Sequence, residues 1–221
     1  MFVMEEIIPK VYLIDEKLAV ENPFKGVKLF DEEILTLKNK EFRVWSPYRS
    51  KVAAAILKGL KEFPIKEGTK IIYHGAAHGY TCSFFASIIG NNGIIYAIEF
   101  SERCFNDLLP LCEKYKNIVP ILADSRKPET FCWIEKVDVV YMDIAQPDEV
   151  EIFIRNCKEF LNKSGYGMIA IKSRSIDVTK SPNEIYKDAL KKLENDFEII
   201  DWKTLDPYER AHAMILVKIK P

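Results

Sequence analysis

Five short segments place a chemically competent side chain just beyond an apolar run. They are His74-Gly75-Ala76-Ala77-His78-Gly79-Tyr80-Thr81, Glu99-Phe100, Asp124-Ser125, Asp143-Ile144-Ala145-Gln146 and Lys172-Ser173-Arg174. Carboxylates at Glu99 and Asp124 can accept hydrogen bonds from hydroxyl and amino donors. Asp143 can face a cation, and Lys172 can stabilise an oxyanion as it forms. Gly75 and Gly79, spaced G-x-x-x-G, suit a tight strand-to-helix turn that lets a ligand approach the backbone.

These segments need elements that bring them to one edge. The apolar runs at 70–74, 94–100, 118–122, 138–143 and 166–172 read as strands. Helix-forming stretches alternate with them at 51–60, 81–89, 101–114 and 147–161, the third opened by Ser101 as N-cap, the fourth by Gln146 with Pro147 as its first residue. Ser181-Pro182-Asn183-Glu184 is a capping box that starts a further helix to about residue 194. Two last strands, near 198–205 and 212–219, are joined too briefly for a crossover, which predicts an antiparallel hairpin. The alternation predicts an α/β fold with a doubly wound, Rossmann-like, mostly parallel sheet and an antiparallel last strand. In such a sheet the ligand lies beyond the carboxyl ends of the strands, where the five segments fall.

Residues 1–46 differ. Short apolar or alternating runs at 11–14, 17–20, 27–30, 34–37 and 42–45, separated by turn-prone pieces, predict a small antiparallel β domain. Ser46-Pro47 is the expected hinge, with residues 47–221 forming the larger domain.

Composition narrows the function further. The 221 residues are 48% apolar and 29% charged, with a net charge of −1. A near-neutral chain does not hold nucleic acid by bulk charge alone. The longest strictly apolar run, 52–57, is far short of a bilayer span, and the first residues lack a signal peptide's basic and apolar regions, so a soluble cytoplasmic protein is expected. Five cysteines without C-x-x-C spacing and three scattered histidines point to small buried hydrophobes rather than disulfides, and no metal is expected.

The strand-end residues together suit an adenosine ligand that carries a cation. Glu99 ends the second of these strands, where an acid holds ribose hydroxyls; Asp124 lies where an adenine amino group would be; Asp143 offers a carboxylate to a cationic centre. S-adenosylmethionine combines ribose, adenine and sulfonium. The fingerprint G-x-G-x-x-G is absent, which disfavours nicotinamide chemistry, and no P-loop is present. Lys172 ends the apolar run 168–171, where a buried ammonium needs a partner or a purpose.

The chain resembles the fibrillarin family of guide-RNA-dependent ribose 2′-O-methyltransferases. The segments 45–51, 75–81, 96–101, 117–128, 143–147, 170–177 and 207–212 carry the likeness in order, with Asp143-Ile144-Ala145-Gln146-Pro147 and Glu99-Phe100-Ser101 the most specific pieces. No long Gly/Arg-rich leading tail is present, so the chain is similar to the short archaeal-type members. The resemblance implies that Tyr80 and Thr81 border the methionine part of the cofactor, that Glu99 and Phe100 hold ribose and flank adenine, and that Asp124 and Ser125 contact adenine. It implies that Asp143, Ile144, Ala145 and Gln146 close the site near the sulfonium, and that Asp143 and Lys172 serve the transferring centre, with Lys51 and His212 as further catalytic candidates. This chain departs from the usual family pattern at His78, Tyr80, Ser125 and Ala211.

On this reading Lys172 stabilises the developing alkoxide while Asp143 positions it or directs the proton's exit. Two basic stretches could meet RNA phosphates: Arg43, Arg49, Lys51, Lys58 and Lys61, and Arg155, Lys158, Lys163, Lys172, Arg174 and Lys180. The resemblance further implies a ribonucleoprotein in which a Nop-family scaffold docks the enzyme, a kink-turn-binding protein anchors the guide RNA, and base pairing selects the target in rRNA or tRNA. The alternatives are a methyltransferase acting on a small molecule or protein, and a non-catalytic RNA-assembly factor that kept the fold.

Overall fold

Five short strands open the chain: β1 (Met4–Ile8), β2 (Val11–Ile14), β3 (Lys17–Glu21), β4 (Ile34–Leu37) and β5 (Lys40–Val44). They pair antiparallel in the order β1-β2-β3-β5-β4. The structure, a computed structural model, describes residues 3–220. One expectation for this region is corrected, and one strand is found that was not expected. The run at 27–30 is not a strand, because this stretch is tied down locally: Asn22 Nδ2 donates to the Val27 carbonyl at 3.1 Å, and the Glu32 carboxylate accepts the Phe30 backbone N–H at 2.6 Å. The stretch Met4–Ile8 is a strand without an apolar face, since it is a mostly exposed edge that needs only β2 as partner.

The larger part runs α1 (Lys51–Leu57), β6 (Lys70–His74), α2 (Tyr80–Ile89), β7 (Ile94–Glu99), α3 (Glu102–Lys114), β8 (Ile118–Leu122), β9 (Val137–Met142), α4 (Glu149–Phe160), β10 (Leu161–Lys172), α5 (Ser173–Ile176), α6 (Pro182–Leu193), β11 (Phe197–Thr204) and β12 (His212–Ile219). The sheet order is β11-β12-β10-β9-β6-β7-β8, and β12 runs antiparallel to both its neighbours while the other pairs are parallel. The chain winds outward from β6 to β8 and then returns to β9 on the other side of β6. The order therefore reverses between β6 and β9, and a crevice opens at their carboxyl ends.

Local chemistry explains the boundaries. Helix α1 stops three residues before the expected end because Gly59 takes φ +77°; the Gly59 and Leu60 amides bond back to Ile56 and Ala55, a Schellman closure. Ser101 caps α3 by accepting the Cys104 N–H, and Ser181 and Glu184 cap α6 reciprocally. Helix α4 begins two residues later than expected. Residue 146 precedes proline, which disfavours helical backbone there, and the first helical bond runs from Ile152 N to Asp148 O, so Asp148 rather than Gln146 is the cap.

Two apolar layers cover the sheet. One joins α1 and α2 to Tyr73, Val139, Tyr141 and Met168. The other joins α4 and α6 to Ile72, Val140, Ile169 and Ile215. The first layer also takes in Val11, Leu18, Val20 and Trp45 from the N-terminal part, with the Trp45 ring stacked on Phe84 at 4.9 Å between centroids. Arg43 is fully buried and paired with Glu32; its guanidinium lies 4.3 Å over the Phe84 ring and donates to Ser83 Oγ at 2.8 Å and Tyr115 Oη at 3.2 Å. Burial alone would raise the Glu32 carboxyl, but Arg43 holds it below its ordinary value. Arg43 is thus unavailable to phosphates. The five cysteines are free; Cys82 and Cys157 are buried as expected of small hydrophobes, whereas Cys132 is exposed.

Candidate active site

The crevice between β6 and β9 deepens into a cavity of about 290 Å³, lined by Gly75, Glu99, Phe100, Asp124, Ser125, Asp143, Ile144, Ala145 and Gln146, with Ala77, Ser101, Cys104, Arg126 and Ile152 completing the wall. The turn after β6 is shaped by left-handed backbone at Gly75 (φ +78°), Ala77 (φ +48°) and Gly79 (φ +86°). A Cβ at Gly75 would run into the carbonyl oxygen of Asp143, so only glycine lets β6 and β9 end this close. The Asp143 amide donates to the His74 carbonyl at 3.0 Å, which fixes the aspartate beside the turn.

Glu99 is held from behind. Its two oxygens accept the Ala77 and Ser101 backbone N–H groups, each at 2.8 Å. A carboxylate has about four acceptor directions, so two bonds leave capacity for further donors. Phe100 is 67% exposed although it lines the cavity, and its uncovered ring presents an apolar face to a planar ligand. Asp124 lines the same wall but is occupied by Arg126, whose guanidinium contacts both carboxylate oxygens at 2.8–3.0 Å and holds the acid below its ordinary value. Ser125 turns its hydroxyl inward to His74 Nδ1 at 2.8 Å, while Asn156 of α4 anchors its carbonyl at 2.9 Å. Burial drives His74 down to about 3, so it is a neutral, structural histidine.

At the β9 end of the cavity two lysines converge on one aspartate. Lys51 donates to Asp143 Oδ2 at 3.2 Å, and Lys172 Nζ lies 2.9 Å from Oδ1. All three side chains are 15–20% exposed. Burial would raise the Asp143 carboxyl, but the two ammonium groups outweigh it and hold the acid below its usual range. Oδ1 is shut off from solvent with the Lys172 ammonium beside it, so its charge is met inside the protein. His212 stands opposite Lys172 in the β10–β12 ladder, so both side chains leave the same face of the sheet. Its Nδ1 meets the Arg210 carbonyl at 2.7 Å, which fixes the proton on Nδ1 and leaves Nε2 as the basic nitrogen. Burial lowers His212 from its ordinary value.

Several expected site residues lie elsewhere. Gly79 is a packing glycine: a Cβ there would strike Leu108 and Leu111 of α3. Beginning α2 from a left-handed cap turns Tyr80 away from the cavity and toward the N-terminal sheet. There its hydroxyl accepts the Ser46 N–H at 3.1 Å and its ring packs on Phe30 and Phe84. Thr81 donates to Ser50 Oγ at 2.9 Å, inside the protein. Neither Tyr80 nor Thr81 lines the cavity. Arg49 is exposed but committed, its guanidinium 4.2 Å over the Tyr80 ring and bonded to the Phe30 carbonyl at 2.7 Å. Arg174 is exposed on α5, two residues past Lys172. The second basic stretch is not one patch, since Lys158 pairs with Asp196 and Lys180 with Asp188. Among the described residues, no cluster of three or more His, Cys, Asp or Glu side chains could hold a metal, and no helix is long and apolar enough to cross a membrane.

The lining fits an adenosine ligand: an anchored carboxylate at Glu99 and an open aromatic face at Phe100, with the anionic Asp143 at the wall of the same cavity. The seven-stranded sheet with its one reversed strand is the fold of the S-adenosylmethionine-dependent methyltransferases. A profile of the fibrillarin family matches residues 3–221, and the chain belongs to that family. It is 48% identical over 216 residues to the fibrillarin-like rRNA/tRNA 2′-O-methyltransferase of Thermococcus sibiricus, covering 95% of this chain and 96% of the relative. The structure of Aeropyrum pernix fibrillarin with natively bound S-adenosyl-L-methionine superposes with a TM-score of 0.87 at 42% identity, covering 98% of this chain and all of that one. A fibrillarin in complex with Nop5p is similar at a TM-score of 0.87 and 40% identity over 98% of this chain and all of that one.

Proposed function

We propose that this protein methylates ribose 2′-hydroxyls of rRNA and tRNA, using S-adenosylmethionine, as the catalytic subunit of a guide-RNA-directed box C/D ribonucleoprotein. The convergence of Lys51 and Lys172 on Asp143 at the wall of a nucleoside-sized cavity carries this reading. The curated relative's name and the cofactor-bound A. pernix structure support it.

When bound, the cofactor supplies a methyl group on a sulfonium that departs as a neutral thioether. Glu99 receives the ribose hydroxyls, and Phe100 covers one face of the base. Asp143 stays anionic because two lysines hold it so, and it places the Lys172 ammonium at the point where the attacking oxygen gathers charge. An ammonium fixed there before reaction needs no reorganisation during it. His212 Nε2, unprotonated by its Nδ1 contact, is a suitable acceptor for the 2′-hydroxyl proton.

RNA selection is assigned to partners. The chain's net charge is −1, and Arg43 and Arg49 are occupied within the protein and not open to phosphates. Weak, salt-sensitive intrinsic affinity follows. The fibrillarin–Nop5p complex supports a Nop-family scaffold as one partner; a kink-turn-binding protein and the guide RNA complete the assembly. The test is transfer of labelled methyl to a guide-paired target with and without these companions. Incorporation at one ribose only in the full assembly is the expected result, and no incorporation by a cofactor-loaded assembly overturns the reading.

A further inference from the structure

Glu149 is the first residue of α4 and is fully buried. An exposed acid at a helix start is ordinary, because it meets the positive end of the dipole. A carboxyl shut away from water needs another reason. Its Oε1 accepts the backbone N–H of Lys172 at 2.9 Å, while Oε2 is buried without any hydrogen-bond partner. An anion would leave that second oxygen charged and unsolvated, whereas a neutral acid keeps the one useful bond at far lower cost.

The surrounding charges agree. Lys172 at the end of β10 and Asp143 beyond β9 are the charged groups that act on Glu149. Lys51 from α1 and His212 from β12 act on Asp143 or lie beside it. On α4 itself Glu151 faces outward to Lys192 of α6 at 2.5 Å. Burial raises Glu149 to about 8, against the pull of the Lys172 amide and ammonium.

We propose that Glu149 is a positioning residue for the methyl-transfer centre: as an uncharged acid it pins the backbone at Lys172 and leaves Asp143 the sole anion between the two lysines. A second carboxylate here would compete for the Lys172 ammonium and draw it off Oδ1. Activity therefore falls as Glu149 loses its proton. This assignment rests on the methyltransferase reading above.

The test compares wild type, Glu149→Gln and Glu149→Leu in the assembled ribonucleoprotein at saturating cofactor, with kcat followed from about pH 6 to pH 9.5. Glutamine keeps the shape and the carbonyl acceptor but has no proton to lose. Its kcat at neutral pH should stay within about twofold of wild type, and it should lack the wild-type decline centred near pH 8. Leucine, which offers Lys172 no acceptor, should lower kcat about tenfold or more at a nearly unchanged cofactor KM. Superimposable pH profiles for wild type and Glu149→Gln overturn the assignment of Glu149 while leaving the enzyme intact. Absence of turnover in the wild-type assembly overturns the methyltransferase reading and this inference with it. Should the leucine variant fail to fold, the wild-type and glutamine profiles still decide the matter.

Discussion

Lys172 and Asp143 face each other at 2.9 Å, Nζ to Oδ1, the lysine at the end of β10 and the aspartate one residue past the end of β9. Neither side chain is more than one-fifth exposed, so the pair holds its geometry without competition from bulk water. Lys51 reaches the other oxygen from a helix ninety-two residues earlier in the chain.

Removing either lysine tests their roles. Lys172→Ala should lower methyl transfer by about 100-fold or more, the usual scale for a group acting on a proton or developing charge. Lys172→Arg should not restore it, because a planar fork cannot replace a point charge in this space. Lys51→Ala, which removes the partner that steadies Asp143 Oδ2, should also be slow. Initial rates at saturating cofactor measure all three; a near-normal rate in Lys172→Ala rejects the mechanism.

Phe100 offers an uncovered ring beside Glu99. Its replacement by alanine should weaken cofactor binding by roughly two- to tenfold, in line with about 0.5–1.5 kcal/mol for an aromatic pair. Tryptophan should be tolerated. Titration calorimetry with S-adenosylmethionine reads this directly, and unchanged affinity in Phe100→Ala would remove the ring from the binding site.

Gly75→Ala forces a Cβ onto the Asp143 carbonyl at a backbone angle that L-residues avoid. The turn must open and Asp143 must shift, so activity should drop more steeply than thermal stability. A variant that melts as wild type and turns over normally contradicts the close approach.

Two buried groups give stability opposite dependences on pH. Glu149 ionises at an ordinary 4.5 when unfolded but near 8 when folded. Between these values the unfolded chain releases a proton that the folded chain keeps, so the fold weakens as pH rises through that window. His74 sits near 3 folded against 6.5 unfolded, so the fold weakens as pH falls below 6.5. Glu149→Gln should therefore raise the melting temperature at pH 8 by on the order of 10 °C and change it little at pH 4. Equal shifts at both pH values would show that Glu149 is ionised in the folded protein.

Much of this site could be read from the chain because strand ends are marked by where apolar runs stop. Glu99, Asp143 and Lys172 each follow such a run, and parallel pairing carries them to one edge. Ser181 and Glu184 announce a helix start by chemistry confined to four residues. What failed depends on contacts remote in sequence. Tyr80 follows the glycine turn as expected, but its direction is set by Phe30 and Ser46 of the N-terminal part. Arg43 reads as a surface cation until Glu32, Ser83 and Tyr115 close around it. Glu149 is one of several acids at the start of α4, and nothing near it in sequence shows that it packs against the end of β10. Edge strand β1 has no apolar stripe to announce it.

Trp45 and Arg43 belong by chain position to the small leading sheet and by contact to the floor beneath α2. A protease that nicked the connection near Pro47 would therefore release nothing: the fragments would stay clasped, and separating them would bare an indole ring and strip the Arg43 guanidinium of Ser83, Tyr115 and the Phe84 face at once. A chain begun after that point would lack part of its own foundation and should come out of cells as aggregate. Heated intact, the two sheets should melt together in one calorimetric peak.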